Sequence, residues 1–81
     1  MANMNAISEF LQKGKAKEVK ELVQKAVDEG LSPEDILDKG LLEGMNIIGV
    51  KFKNNEVFVP EVLIAARAMN AGMEILKPLL V

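Results

Sequence analysis

Apolar residues recur every three or four positions along almost all of this 81-residue chain, and glycine or proline interrupts the pattern at intervals. Such spacing is typical of helices with one apolar face, and no stretch shows the strict alternation of a half-buried strand. Short connections between amphipathic helices favour antiparallel neighbours. The sequence therefore predicts an all-α fold, a compact antiparallel four-helix bundle with no strands. At this length, residues 1–81 are expected to form a single domain.

Glycine, serine and proline mark the ends of the predicted helices. Gly14 interrupts the first apolar stripe, and Gly30 is predicted to close the second helix in a left-handed conformation, with Leu31 making the accompanying apolar contact. Ser32 is the expected N-cap of the third helix, and Pro60 begins the fourth. These signals predict helices near residues 4–13, 16–29, 33–52 and 60–77.

The apolar stripes also define a predicted core, which must be aliphatic because the chain has three Phe, no Trp and no Tyr. In the first two helices the stripe consists of Met4, Ile7, Leu11, Val19, Leu22, Val23, Ala26 and Val27. In the third helix it consists of Ile36, Leu37, Leu41, Met45, Ile48 and Phe52. In the fourth helix the predicted inner face is Val62, Leu63, Ala66, Met69, Met73 and Leu76.

Four glycines lie inside predicted helices, where each costs about 0.5–1 kcal/mol relative to Ala. For Gly40, Gly44 and Gly72 we favour close packing against the alanines of the neighbouring helix over direct contact with a ligand. For Gly49 both interpretations stay open. It precedes Phe52 by one turn, and a missing side chain there could let the ring turn outward.

The composition argues against several kinds of site. The absence of Cys removes disulfides and thiolate metal sites, and the absence of His removes the commonest general base near neutral pH. Carboxylates and lysines without a convergent motif do not make an acid–base site. We therefore predict no catalytic residue and no metal ligand in this chain, which is not expected to be an enzyme by itself.

Charge and hydropathy bear on partners and location. The net charge is −2, with Lys and Arg scattered among Asp and Glu, which argues against a nucleic-acid surface. No apolar run approaches the ~20 residues of a membrane span. The N-terminus also lacks the basic and then apolar pattern of a signal peptide. A cytoplasmic protein is the resulting expectation.

The segment 44–69 carries the most distinctive pattern. It places Phe52, Phe58 and Val59 around a short polar loop and then begins a helix at Pro60. The motifs L-L-E-G-M-N-I-I-G-V-K-F, E-V-F-V-P-E, A-A-R-A-M and L-K-P follow one another in this order. Together they resemble the N-terminal helical cap domain of cobalamin-binding (corrinoid) proteins and of cobalamin-dependent methyltransferases such as methionine synthase. The resemblance extends from about residue 7 to residue 80.

This resemblance implies a cofactor and a role. In that family a four-helix bundle covers the upper, methyl-bearing face of cobalamin and moves aside for methyl transfer with methyltransferase subunits. Phe52 and Val59 would press on the corrin ring, with Phe58 and Val62 beside them. Val59 replaces the Leu of methionine synthase, which keeps the contact apolar but makes it shallower. Apolar side chains suit the site because they shield a metal–carbon bond from water.

The resemblance also implies a second domain. In full-length relatives a following Rossmann-like domain binds the lower corrin face, and its D-x-H-x-x-G motif supplies the His that ligates cobalt. This chain contains no His and ends at Leu80 and Val81, where the linker to that domain would begin. We therefore expect the chain to be the cap alone, with a Rossmann-like cobalamin-binding domain as its C-terminal partner.

Two other interpretations of Phe52, Phe58 and Val59 remain open. By pattern alone, an aromatic residue at helical spacing is usually a core residue; the resemblance favours a cofactor role for Phe52 and Val59 and leaves Phe58 undecided. The three residues could also form the docking or dimerisation patch of a self-standing interaction module. A reading frame that continues past Val81 into D-x-H-x-x-G would favour the cap, and a stop codon would favour the interaction module.

The charged residues near the loop are expected to have ordinary roles. Lys51, Lys53 and Glu56 are interpreted as a solvated rim and not as ligands of the corrin side chains. Glu61 and Arg67 lie six positions apart, too far for a pair along one helix, so the sequence assigns neither a role.

Overall fold

The computed structural model describes residues 4–80, and within this range the chain is helical and contains no strand. Helix α1 spans Met4–Gln12, and α2 spans Ala16–Asp28. Helix α3 covers residues 33–53 as three continuous parts, namely Pro33–Asp35, the π-helical Ile36–Leu42 and Glu43–Lys53. Helix α4 spans Val59–Leu76, and a 3₁₀ turn, Lys77–Leu79, follows it.

The predicted all-α bundle is confirmed, and each predicted helix end lies within one residue of the observed end. In this fold α1 packs along α3 and α2 packs along α4, and these are the two most extensive contacts between helices. The predicted linker at Val81 lies outside the described residues. No helix in residues 4–80 combines the length and apolar character that a membrane span requires.

The core is aliphatic, as predicted, and all four helices contribute to it. Its buried residues are Ile7, Leu11, Val19, Val23, Ala26, Ile36, Leu41, Ile48, Ala65, Ala68 and Leu76. Full burial of one Val, Leu or Ile side chain stabilises the folded state by about 1.5–3 kcal/mol.

Two residues predicted to face inward do not. Leu63 is 62% exposed and Phe52 is 45% exposed. Helix α4 instead turns its small residues inward, among them Ala65, Ala68 and Gly72. The helical spacing of apolar residues predicted Leu63 to face inward, but the close approach of α2 and α4 requires small side chains at the contact.

Gly30 ends α2 as predicted, with φ of +85°. Its N–H donates to the carbonyl of Val27 at 3.0 Å, and the N–H of Leu31 donates to that of Ala26 at 3.1 Å. This pair of bonds is a Schellman motif. Ser32 is the N-cap residue of α3 as predicted, but its hydroxyl donates to the Glu34 carboxylate at 2.8 Å and makes no capping bond to the backbone.

Three of the glycines inside helices lie where a larger residue would meet a neighbouring helix. A Cβ at Gly44 would lie 3.0 Å from Leu11 Cδ2, and a Cβ at Gly40 would lie 3.0 Å from Ile7 Cγ2. Close packing was therefore predicted correctly for these two, but the partner is α1 and not the alanines of α4, because α1 crosses α3 at this point. A Cβ at Gly72 would likewise lie 3.0 Å from Leu41 Cδ2, so this glycine is closely packed against α3.

Candidate functional site

Three large apolar side chains stand exposed where α3 ends and α4 begins. Phe52 in the last turn of α3, Phe58 before α4 and Val59 in its first turn are 45%, 66% and 56% exposed. None of them belongs to the buried core or to the partly buried residues packed against it. The interpretation of Phe52 and Phe58 as core aromatics is therefore wrong. We call Phe52, Phe58 and Val59 the apical patch.

A residue in the left-handed backbone conformation ends α3 beside the apical patch. Asn55 has φ of +63°, a conformation that Asn tolerates better than most residues. Its N–H donates to the Phe52 carbonyl at 3.1 Å, and the Glu56 N–H donates to the Lys51 carbonyl at 2.8 Å. This is another Schellman motif, and it reverses the chain immediately after the turn that carries Phe52.

The α4 end is set by the capping of its first turn. Phe58 is the N-cap residue and is extended, with φ of −113° and ψ of 171°. Its N–H donates to the Glu61 carboxylate, and its carbonyl accepts from the N–H groups of Glu61 at 3.0 Å and Val62 at 3.2 Å. No role for Glu61 was predicted from the sequence. Its position at N3, directly before an apolar run, was the signal that could have revealed it.

Two further residues complete the geometry. Val62 is half-buried and packs against the core, so it lies behind the apical patch and not within its exposed surface. Gly49, one turn before Phe52, is exposed, and no heavy atom lies within 4 Å of the position a Cβ would take. Close packing is thus ruled out for Gly49, which leaves bare backbone beside Phe52.

The chemistry available at the apical patch is apolar contact. Of the three charged residues predicted to form a solvated rim, Lys53 and Glu56 are exposed and Lys51 is half-buried. Across residues 4–80 there is no group of three or more His, Cys, Asp or Glu that could hold a metal ion. Two grooves of about 540 Å³ lie elsewhere, one along α2 and one between α3 and α4. The patch can therefore offer a broad apolar surface to a flat ligand.

The sequence matches the B12 binding domain family over residues 4–77. The chain belongs to this family. The likeness to a helical cap of corrinoid proteins drawn from the motifs is confirmed, and the match includes the whole apical patch.

Individual relatives of this B12 binding domain are corrinoid proteins. The chain is 52% identical over 58 residues to monomethylamine corrinoid protein 1 of Methanosarcina acetivorans, covering 72% of this chain and 27% of the relative. It is 37% identical over 78 residues to a corrinoid protein of Desulfitobacterium hafniense, covering 96% of this chain and 36% of the relative.

The fold also matches a solved structure. The monomethylamine corrinoid protein of Methanosarcina barkeri superimposes with a TM-score of 0.87 at 33% identity. The match covers 90% of this chain and 34% of that protein. The chain thus spans about a quarter to a third of the length of these corrinoid proteins.

Proposed function

We propose that this B12 binding domain is the helical cap over the upper, methyl-bearing face of a corrinoid such as methylcobalamin. The observation that carries the proposal is the apical patch, whose large apolar side chains are exposed on a backbone held by hydrogen bonds. In this proposal Phe52 and Val59 press on the corrin ring, Phe58 flanks them, and Val62 supports them from the core side.

The residues fit this cofactor by their chemistry. A bound corrinoid supplies a reactive metal–carbon bond, and the surrounding protein supplies shielding and orientation. Phe52, Phe58 and Val59 have no hydrogen-bond donor and no titrating proton in their side chains, so they exclude water without offering a competing reactant. The bare backbone at Gly49 leaves room for a broad ring to approach beside Phe52.

The proposal includes a motion and two partners. A second protein can receive a methyl group only if it reaches the covered face, so the cap must move aside as a lid. A Rossmann-like domain, C-terminal to the cap, would bind the lower face and supply the cobalt-ligating His. Methyltransferase subunits would carry out the chemistry, with the cap in an accessory role.

The test uses a chimera in which this chain replaces the matching segment of the M. acetivorans monomethylamine corrinoid protein. The chimera is loaded with methylcobalamin, and the rate of photolysis of the metal–carbon bond is measured. Phe52→Ala with Val59→Ala should speed photolysis while the cofactor stays bound by the rest of the protein.

A matched control separates this effect from general loss of apolar surface. Leu42→Ala with Leu79→Ala truncates residues that are 43% and 45% exposed but lie outside the apical patch. This control pair should leave the photolysis rate unchanged. Equal rates for both pairs and the parent would contradict the proposed cap function.

The exposed apical patch also favours a second candidate function, docking of a second copy of the chain. Sedimentation of the 81-residue protein tests it. A dimer that dissociates in Phe58→Ala would support self-association, and a monomer at high concentration would contradict it.

A further inference from the structure

The two ends of the loop under the apical patch are fixed by different means. At the α3 end, main-chain bonds hold the turn, since the N–H groups of Asn54, Asn55 and Glu56 donate to carbonyls of α3 at 2.8–3.1 Å. At the α4 end, the N–H of Phe58 is held by a side chain, the carboxylate of Glu61. A substitution of Glu61 can therefore remove the bond to the Phe58 N–H without altering the α3 end.

The orientation of Phe58 depends on its backbone more than on packing. Its side chain is 66% exposed and is not one of the buried core residues. Its carbonyl accepts from two N–H groups of the first turn, and its N–H donates to Glu61. Because the side chain is 66% exposed, the backbone sets the direction of its Cα–Cβ bond, and φ and ψ restrict the rotamers that the ring can adopt.

We infer that Glu61 is a positioning residue for the corrin-facing surface. Its carboxylate fixes the Phe58 backbone and so sets the direction in which Phe58 and the adjacent Val59 leave the chain. The inference rests on the proposed cap function. It assigns Glu61 no contact with the corrin, because its carboxylate is engaged with the Phe58 N–H.

Two effects of Glu61 must be separated. A carboxylate in the first turn of a helix also interacts favourably with the helix dipole, and that effect needs the charge but not the bond. Gln at N3 also has a side-chain oxygen that can accept from the N-cap N–H, but it carries no charge. Glu61→Gln should therefore preserve the positioning, and Glu61→Ala should weaken it, since only the two bonds to the Phe58 carbonyl remain.

The first measurement is hydrogen exchange of the Phe58 N–H in the 81-residue protein, at a temperature where circular dichroism shows every variant folded. Glu61→Ala should speed this exchange by about two- to tenfold, the factor expected for losing one hydrogen bond. Glu61→Gln should stay near the parent. The matched control Glu74→Ala, which removes an exposed carboxylate from the same helix, should have no effect at Phe58.

The second measurement is photolysis in the methylcobalamin-loaded chimera. Glu61→Ala should speed photolysis, and Glu61→Gln should restore the parent rate. In a Phe58→Ala, Val59→Ala background, Glu61→Ala should add nothing, because the side chains it orients are gone. An undiminished effect in that background, or equal effects of Gln and Ala, would overturn the inference.

The outcomes also distinguish the two proposals. If Phe52→Ala with Val59→Ala speeds photolysis and Glu61→Ala does not, the cap function stands and the positioning role is wrong. If neither changes photolysis, both are wrong, even when Glu61→Ala speeds exchange at Phe58.

Discussion

The middle of the bundle and its apical patch use side chains in opposite ways. Where α2 and α4 meet, Ala65, Ala68 and Gly72 are buried and small, so the two backbones can approach closely. At the apical patch, large side chains are exposed, and the backbone beneath them is fixed by hydrogen bonds. The difference indicates that the middle of the bundle provides stability, whereas the apical patch provides an exposed apolar surface.

The largest stability loss should come from the middle. Leu41 is fully buried and contacts the position of Gly72, so Leu41→Ala should lower the free energy of unfolding by about 2–5 kcal/mol. Urea unfolding of the 81-residue protein measures this. If the loss is no larger than that caused by truncating an exposed residue, as in Leu79→Ala, the middle of the bundle is not the main source of stability.

Overpacking should come next and should depend on position along α3. Gly44→Leu places a side chain against Leu11 and the backbone of Ser8, and overpacking of this kind costs about 1–3 kcal/mol. The same substitution at Gly49 meets open space and should not destabilise the fold. Equal unfolding midpoints for the two variants would show that Gly44 is not confined by α1.

The turn beneath the patch should respond to backbone preference. Asn55→Ala forces a residue with a Cβ and no polar side chain into the left-handed region, which costs about 1–2 kcal/mol. Asn55→Gly should be tolerated, because Gly adopts this conformation without strain. Thermal unfolding of both variants tests the comparison, and a more stable Ala variant would contradict it.

The smallest effect should come from a surface ion pair across the middle of the bundle. Lys20 Nζ lies 3.3 Å from the Glu74 carboxylate, and both side chains are more than half exposed. Exposed pairs contribute about 0–1 kcal/mol, so Lys20→Ala should change the unfolding free energy little, and less at high salt. A loss comparable to that of Leu41→Ala would mean that stability in the middle is not chiefly apolar.

Local signals predicted the helix ends, whereas the contacts between helices were not readable from the sequence. Gly30 and Pro60 act through their own backbone conformations, so their effect could be inferred without knowing the fold. The partner of Gly44 and the exposure of Leu63 depend on where helices cross, which is a property of the whole bundle. Spacing alone placed both incorrectly.

The candidate site was also predicted only in part from the sequence. The motifs predicted the family, which the comparison confirmed, and they indicated Phe52, Phe58 and Val59, whose contact with a corrin stays a prediction. Exposure of Phe52 could not be read from its helical spacing, which is also that of a core residue. The role of Glu61 was not predicted, although its N3 position is readable from the sequence, because its partner is a backbone N–H and not a side chain.

The most direct test of the central claim measures photolysis and unfolding on the same variants of the methylcobalamin-loaded chimera. Phe52→Ala with Val59→Ala should speed photolysis and lower stability by less than Leu41→Ala does. Leu41→Ala should lower the free energy of unfolding. At a temperature well below the unfolding midpoint of this variant, its photolysis rate should equal that of the parent. If Phe52→Ala with Val59→Ala unfolds the cap while the photolysis rate stays unchanged, these two residues stabilise the fold and do not shield the cofactor. That result would contradict the cap assignment.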